Sequence, residues 1–140
     1  MKFEIVPTVK CGDIIFLTER SNVRLLLGKY NTFKKSESSE NSTDDFGFCH
    51  AYYNTYDQLI AIEFFPEADL RFNEKKLFML SVKELASLLK TFDEAIVIDE
   101  YSIFSKALGI CAEIDECDIK SILVCTADYY EGVWEQQTMD

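Results

Sequence analysis

The residues that could do chemistry in this sequence lie mainly in the stretch HAYYNTYDQLIAIEFF, residues 50–65. It contains the only histidine of the chain, His50, and a single glutamate, Glu63, among aromatic and apolar residues. A histidine oriented by a carboxylate is the arrangement that enzymes use for general-base chemistry. Whether these two residues form an active site depends on the elements that position them.

Residues 46–53 and 58–65 predict the two strands of a hairpin, because aromatic and β-branched residues dominate both and the intervening NTYD has turn chemistry. Pairing Tyr53 with Gln58 makes His50 and Glu63 diagonal neighbours on one face of the sheet. That face also carries Phe48, Tyr52, Leu59 and Ala61. The opposite, core face carries Cys49, Ala51, Tyr53, Ile60, Ile62 and Phe64.

Catalysis by this pair would require further groups, such as a nucleophile or a phosphate-binding loop. The chain has neither a GxSxG motif nor a glycine-rich loop, since its five glycines are isolated. We therefore interpret His50 and Glu63 as a cross-strand contact on a wet sheet face and expect no enzyme. With Phe48 and Tyr52 they form a secondary candidate binding face, because aromatic residues beside polar anchors are typical of protein-binding surfaces.

The negative charge of the chain is concentrated in its last third. The formal net charge is −11, yet residues 1–92 are almost neutral, with 13 acidic and 12 basic residues. Residues 93–140 carry 12 acidic residues and only two basic ones, Lys106 and Lys120. Such a field repels nucleic acid and anionic membranes and attracts basic surfaces, although a purely solubilising role is the alternative. We expect a basic protein partner, no nucleic acid and no membrane.

The predicted partner-binding surface combines acidic residues near strand ends with aromatic residues that follow them. Aromatic groups beside charge are typical anchors of protein interfaces. The predicted set comprises Asp99, Glu100, Asp115, Glu116, Asp118, Asp128, Tyr129, Tyr130, Glu131 and Trp134.

Composition argues against several other classes of protein. Five cysteines are an odd number without CxxC spacing, and with one histidine they predict reduced core thiols rather than a metal or cofactor site. No apolar run approaches the length of a membrane span, which is about eighteen residues. The N-terminal MKFEIVPTVKCGD lacks the apolar core of a signal peptide. We expect a cytoplasmic protein and leave its oligomeric state open.

The remaining pattern predicts one α+β domain over residues 1–140. Helices are expected at 18–28 and 81–92, the second opening with a capping box of Ser81 and Glu84. The continuously apolar runs AIVI and ILVC, residues 95–98 and 122–125, predict central strands. Together these elements predict a mostly antiparallel sheet of about six strands with both helices packed on one face. Residues 36–45 are expected to form a mobile loop and 132–140 a loose tail.

Residues 13–66 contain three local motifs in a recognisable order. They are Leu27-Gly28 at the end of a helix, Asp45-Phe46 at the end of a polar loop, and Ile62-Glu63-Phe64 at the close of a hairpin. This pattern resembles small bacterial immunity proteins of contact-dependent growth inhibition and related polymorphic toxin systems. The resemblance implies a cytosolic protein that binds and neutralises a cognate toxin domain, often a basic nuclease. The motifs are structural, so no functional residue carries over.

A second family is also similar in size, acidity and order of elements. Secretion chaperones of the type III kind are small, acidic α+β proteins that usually end in a third helix completing a dimer. The C-terminal stretch DYYEGVWEQQTMD is short and interrupted by glycine, which disfavours such a helix. A chaperone-like binding protein is therefore the alternative, and a small-ligand enzyme using His50 and Glu63 is third.

Overall fold

The computed structural model, which describes residues 1–130, contains two β-sheets and two α-helices. The helices are α1 (Arg20–Leu27) and α2 (Val82–Phe92), and a 3-10 turn spans Leu77–Met79. The strands are β1 (Lys2–Val6), β2 (Lys10–Cys11), β3 (Ile14–Ile15), β4 (Asn31–Phe33), β5 (Thr43–Asp45), β6 (Cys49–Tyr53), β7 (Leu59–Phe64), β8 (Asp69–Phe72), β9 (Lys75–Lys76), β10 (Val97–Ile98), β11 (Ser102–Ser105), β12 (Ile110–Asp115) and β13 (Asp118–Cys125).

The strands form a five-stranded sheet, ordered β3-β2-β1-β8-β9, and an eight-stranded sheet, ordered β10-β11-β12-β13-β7-β6-β5-β4. Among residues 1–130 every named strand pair is antiparallel except β1 with β8. The α+β class and the antiparallel pairing are confirmed. The single sheet of about six strands is wrong, because strands of two or three residues are too short to produce a periodic signal.

One hydrophobic core joins both sheets and both helices. Strand alternation gives the eight-stranded sheet an inner face, which enters this core, and an outer face, which does not. The inner face contributes Ile62, Phe64, Ile110 and Ile122, the five-stranded sheet contributes Phe3, Ile5 and Leu70, and the helices contribute Val23, Leu85 and Leu89. No helix within residues 1–130 is long and apolar enough to cross a membrane.

The second helix follows its local sequence signals. The backbone N–H of Glu84 donates to Ser81 Oγ at 3.1 Å, and the N–H of Ser81 donates to Glu84 Oε1 at 2.9 Å. This confirms the predicted capping box. The first helix begins at Arg20 rather than at residue 18, because the carbonyl of Thr18 accepts the N–H of Leu59 and the extended Glu19 forms a bridge with Gln58.

The hairpin of β6 and β7 is confirmed, but its predicted register is wrong. Tyr53 pairs with Leu59 rather than with Gln58, and the register of the strand pair shifts between Tyr52 and Tyr53. The reason is a longer turn. The side-chain oxygen of Asn54 accepts the backbone N–H groups of Tyr56 and Gln58, and the backbone N–H of Asn54 donates to the carbonyl of Gln58. Leu59 therefore enters the core, and Ile60 packs on the outer face instead.

Two further expectations about strands require correction. Residues 43–45, predicted as part of a mobile loop, form β5, because the buried carboxylate of Asp44 holds this segment against α1. The AIVI run is not central, since Val97 and Ile98 form the exposed edge strand β10. The ILVC run does lie centrally, in β13 between β12 and β7. The predicted tail 132–140 lies outside the described residues.

The five cysteines are free thiols, as the composition predicts. Cys11, Cys49 and Cys125 are buried, Cys111 is half-buried and Cys117 is exposed. Burial raises the pKa of Cys49 and of Cys125 to about 12, so these thiols behave as apolar core groups.

Candidate functional site

Five of the predicted partner-binding carboxylates meet at one end of the eight-stranded sheet. They come from the β10–β11 and β12–β13 turns, which adjoin because the N–H of Ile114 donates to the carbonyl of Tyr101 at 2.8 Å. All five residues are exposed, and none of them forms an ion pair with another residue of the described chain. We call this set the acidic edge, and it consists of Asp99, Glu100, Asp115, Glu116 and Asp118.

Local sequence explains the shape of both turns. In the first, Asp99 Oδ1 accepts the N–H groups of Tyr101 at 2.7 Å and Ser102 at 2.8 Å, which closes the turn. In the second, Glu116 and Cys117 both have positive φ, at 49° and 73°, as a two-residue hairpin of the primed type requires. The short turns fix the backbone that carries the acidic edge, and hydrogen bonds hold the carboxylate of Asp99 itself.

The remaining residues of the predicted surface do not join the acidic edge. Asp128, Tyr129 and Tyr130 follow the eight-residue strand β13, whereas Asp118 begins it, so the strand separates them. Asp128 Oδ1 accepts a hydrogen bond from the hydroxyl of Thr126 at 2.8 Å. Glu131 and Trp134 lie outside the described residues.

The two tyrosines after β13 are packing groups rather than exposed anchors. Tyr129 and Tyr130 are half-buried, with ring centroids 4.8 Å apart, and both pack on the cluster that contains Ala61 and Cys125. The ring of Tyr130 also lies 4.9 Å from that of Phe104. An aromatic residue that is exposed beside the acidic edge is Tyr101, whose exposed fraction is 68%. The sequence pattern does not single it out.

The secondary candidate face contains a cavity. Three of its four predicted residues, His50, Tyr52 and Glu63, line this cavity on the outer face of the eight-stranded sheet. The fourth, Phe48, precedes β6 and stacks on Phe3 with ring centroids 5.6 Å apart, so it belongs to the core instead. The outer-face cavity has a volume of about 480 Å³ and is lined by Phe33, Lys35, His50, Tyr52, Glu63, Phe65, Glu113, Lys120 and Ser121.

Two hydroxyl groups hold the carboxylate of Glu63 in place. The phenol of Tyr52 donates to Glu63 Oε1 at 2.7 Å, and Ser121 Oγ lies 2.9 Å from Glu63 Oε2. Burial and the nearby Glu63 carboxylate raise the pKa of Tyr52, so its phenol remains a donor. Ser121 Oγ also lies 3.2 Å from Glu113 Oε2, but its single proton serves one carboxylate at a time.

His50 is held by different groups. It stands directly opposite Glu63 in the ladder, yet its Nε2 lies 3.4 Å from Asp45 Oδ1. Its ring lies between those of Phe33 and Phe65, with centroid distances of 5.3 and 4.9 Å. Proton transfer between an acid and a base runs through a direct hydrogen bond or one bridging water, and the described contacts of His50 and Glu63 include no direct hydrogen bond between the two.

The cavity contains residues that sequence reasoning missed. Ser121 lies 58 positions from Glu63 and Glu113 lies on a third strand, so no local motif links them. In the described part of the chain no three histidine, cysteine, aspartate or glutamate side chains are placed to hold a metal ion. The cavity offers the carboxylate of Glu63, a second carboxylate from Glu113, the ammonium groups of Lys35 and Lys120, hydroxyl groups and aromatic walls.

A second cluster of charge is buried on the other side of β6. The fully buried carboxylate of Asp44 accepts hydrogen bonds from Arg24 Nε at 2.8 Å, Thr32 Oγ1 at 2.9 Å and Tyr53 OH at 3.0 Å, and Arg20 Nη1 lies 3.3 Å away. The guanidinium of Arg20 lies 4.0 Å from the centroid of the Tyr53 ring. This network ties α1 to β4 and β5, so its role is structural.

A larger hollow lies along the edge strand β4. It measures about 690 Å³ and is lined by residues 28–31 and 45–47. Its one carboxylate, that of Asp45, already accepts the N–H of Gly47 at 2.8 Å and lies beside His50. The hollow therefore offers less unused polar chemistry than the outer-face cavity.

Comparisons of this chain with protein-family models, with curated proteins and with solved structures find no match. A function must therefore be argued from the acidic edge and the outer-face cavity. Both lie beside the β12–β13 hairpin, which supplies Glu113 and Ser121 to the cavity and Asp115 and Asp118 to the acidic edge.

Proposed function

We propose that this protein is a cytoplasmic immunity protein, which binds a basic bacterial toxin domain and neutralises it by covering the active site. The observation that carries this proposal is the acidic edge, where two adjoining turns present five exposed carboxylates. The resemblance of residues 13–66 to immunity proteins supports the same function. No chemistry is required of the inhibitor itself.

A nuclease is the toxin that this surface suits best. Nucleases bind the phosphates of their substrate with lysine and arginine side chains, and carboxylates compete for those side chains. Because short turns fix the backbone beneath the acidic edge, the conformational freedom lost when a partner binds is mainly that of the side chains. Long-range attraction between the opposite charges also accelerates the encounter.

The test is a kinetic one, with the product of the adjacent gene as the toxin. Association is measured by stopped flow for the unaltered protein, for Asp115→Lys with Asp118→Lys, and for the matched control Glu37→Lys with Glu40→Lys. Both pairs are exposed and change the net charge equally. We expect the first pair to slow association about tenfold or more at low ionic strength, and the control pair to slow it far less.

Salt provides an independent readout of the same proposal. The association rate of the unaltered protein should fall as ionic strength rises, because ions screen the acidic edge. Equal effects of the two charge-reversal pairs, or a rate that does not respond to salt, would show that the acidic edge serves solubility only.

A further inference from the structure

The outer-face cavity is lined by two glutamates and two lysines, but its less exposed carboxylate, that of Glu63, lacks an ion-pair partner among the described residues. Glu63 is half-buried, and no lysine, arginine or histidine nitrogen among residues 1–130 forms an ion pair with it. Tyr52 and Ser121, which hold its two oxygens, are 9% and 3% exposed, so the carboxylate cannot easily turn away. Partial burial of an unpaired carboxylate is unfavourable, and a bound cation would relieve it.

A second carboxylate lies beside the first. Glu63 Oε2 and Glu113 Oε2 flank the same hydroxyl, that of Ser121, at 2.9 and 3.2 Å. Lys120 is only a distant partner for Glu113, with its Nζ 3.8 Å from Oε1 and both side chains more than half exposed. Two carboxylates around one hydroxyl suit a forked donor such as guanidinium, whose five N–H groups bridge several oxygens, better than the compact ammonium of lysine.

The same tyrosine–carboxylate unit occurs on both faces of β6. On the inner face Tyr53 donates to Asp44 at 3.0 Å, and the guanidinium of Arg20 covers the Tyr53 ring at 4.0 Å. On the outer face Tyr52 donates to Glu63 at 2.7 Å, and the cation on its ring is the ammonium of the exposed Lys35, 4.9 Å from the centroid. Tyr52 and Glu63 on the outer face thus match the tyrosine and the carboxylate that Arg20 contacts on the inner face, but no arginine contacts them among the described residues.

We infer that the outer-face cavity receives one arginine side chain of the basic partner, an inference that rests on the proposed function. The guanidinium pairs with Glu63 and Glu113, displaces Lys35 and packs against the ring of Tyr52. The rings of Phe33, His50 and Phe65 form the adjoining wall of the cavity and exclude water. The acidic edge governs the encounter with the partner, and the cavity provides an anchor that slows dissociation.

The first experiment uses a small probe and does not require the partner. N-acetylarginine amide is titrated into the isotope-labelled full-length protein, with N-acetyllysine amide and the uncharged isostere N-acetylcitrulline amide as controls. We expect saturable NMR shifts at Tyr52, Glu63 and Ser121 with the arginine probe, in the millimolar range, weaker shifts with lysine and none with citrulline. The absence of saturation by arginine, or equal shifts with citrulline, would overturn the inference.

Variants then assign the effect to the two carboxylates. Glu63→Gln should weaken arginine binding tenfold or more, whereas Glu67→Gln, an exposed control in the turn after β7 and outside the cavity lining, should not. Glu113→Gln, on a half-exposed side chain, should reduce the preference for arginine over lysine without disturbing the fold. Unchanged arginine binding in both Glu63→Gln and Glu113→Gln would contradict the assignment.

Kinetics with the product of the adjacent gene separate this inference from the proposed function. Glu63→Gln should speed dissociation of the complex tenfold or more with little change in the association rate. Charge reversal at the acidic edge should instead slow association with little change in the dissociation rate. If only the charge reversal has an effect, the arginine site is wrong and the proposed function stands. If the gene product does not bind but the arginine probe does, the proposed function fails and the cavity remains an arginine site.

Discussion

His50 and Glu63 face each other across β6 and β7, yet each is bound by different partners. The imidazole lies beside Asp45 and between two aromatic rings, and the Glu63 carboxylate accepts hydrogen bonds from Tyr52 and Ser121. The two residues are therefore neighbours in the sheet without a direct hydrogen bond between their side chains. We therefore expect Glu63 to act as a fixed negative charge and His50 to act as part of the cavity wall.

A His50→Ala substitution tests this division of roles. The variant should stay folded and lose about 1–2 kcal/mol of unfolding free energy in urea, because two edge-to-face ring contacts disappear. Affinity for the toxin should change less than tenfold, since Glu63 supplies the charge. A catalytic activity of the unaltered protein that this substitution abolishes would instead support the enzyme hypothesis.

Asp44 is the residue whose removal should cost the most stability. Replacing it with alanine leaves Arg24, Thr32 and Tyr53 without their acceptor, and loss of one member of a buried ion pair typically costs about 3–5 kcal/mol. The exposed Asp13→Ala serves as the control and should change the unfolding free energy by less than about 0.5 kcal/mol. Similar urea midpoints for the two variants would contradict a buried network at Asp44.

The stability that Asp44 provides should also depend on pH. Burial alone would raise the pKa of this carboxyl, but hydrogen bonds from Arg24, Thr32 and Tyr53 and the charge of Arg20 hold it below its usual value. A lowered folded pKa means that the contribution is complete above the unfolded value of about 3.9 and is lost as pH falls through the folded value. The gap in unfolding free energy between the protein and Asp44→Asn should therefore narrow below about pH 4. A gap that stays constant down to about pH 2 would contradict the lowered pKa.

Gly109 should tolerate substitution less well than Gly47. Both have positive φ, at 64° and 88°, but a Cβ at Gly109 would lie 2.6 Å from the carbonyl oxygen of Cys125, whereas one at Gly47 would meet nothing within 4 Å. Gly47→Ala therefore carries backbone strain alone, and Gly109→Ala adds a clash with the backbone of β13. We expect Gly109→Ala to lose about 1–3 kcal/mol more in urea unfolding than Gly47→Ala. Equal losses would show that the backbone near Cys125 moves aside.

Features that depend on neighbouring residues were predictable from the sequence. The capping box of Ser81 and Glu84 and the apolar spacing that follows it predict α2. These signals involve groups a few positions apart, which have no alternative partners to choose among.

By itself the sequence determined the α+β class, α2, the β6–β7 hairpin and the acidic character of the last third. Only the tertiary structure decided which polar groups meet. Asp44 and Arg24 lie 20 positions apart, and Ser121 and Glu63 lie 58 apart. A polar group that is buried away from water needs a hydrogen-bond partner. The amino-acid sequence does not identify that partner, because strand order and register decide which groups lie side by side. The longer turn and the irregularity beside Tyr53 each shift the register by one residue, which moves Leu59 into the core and Ile60 out of it and sets His50 opposite Glu63.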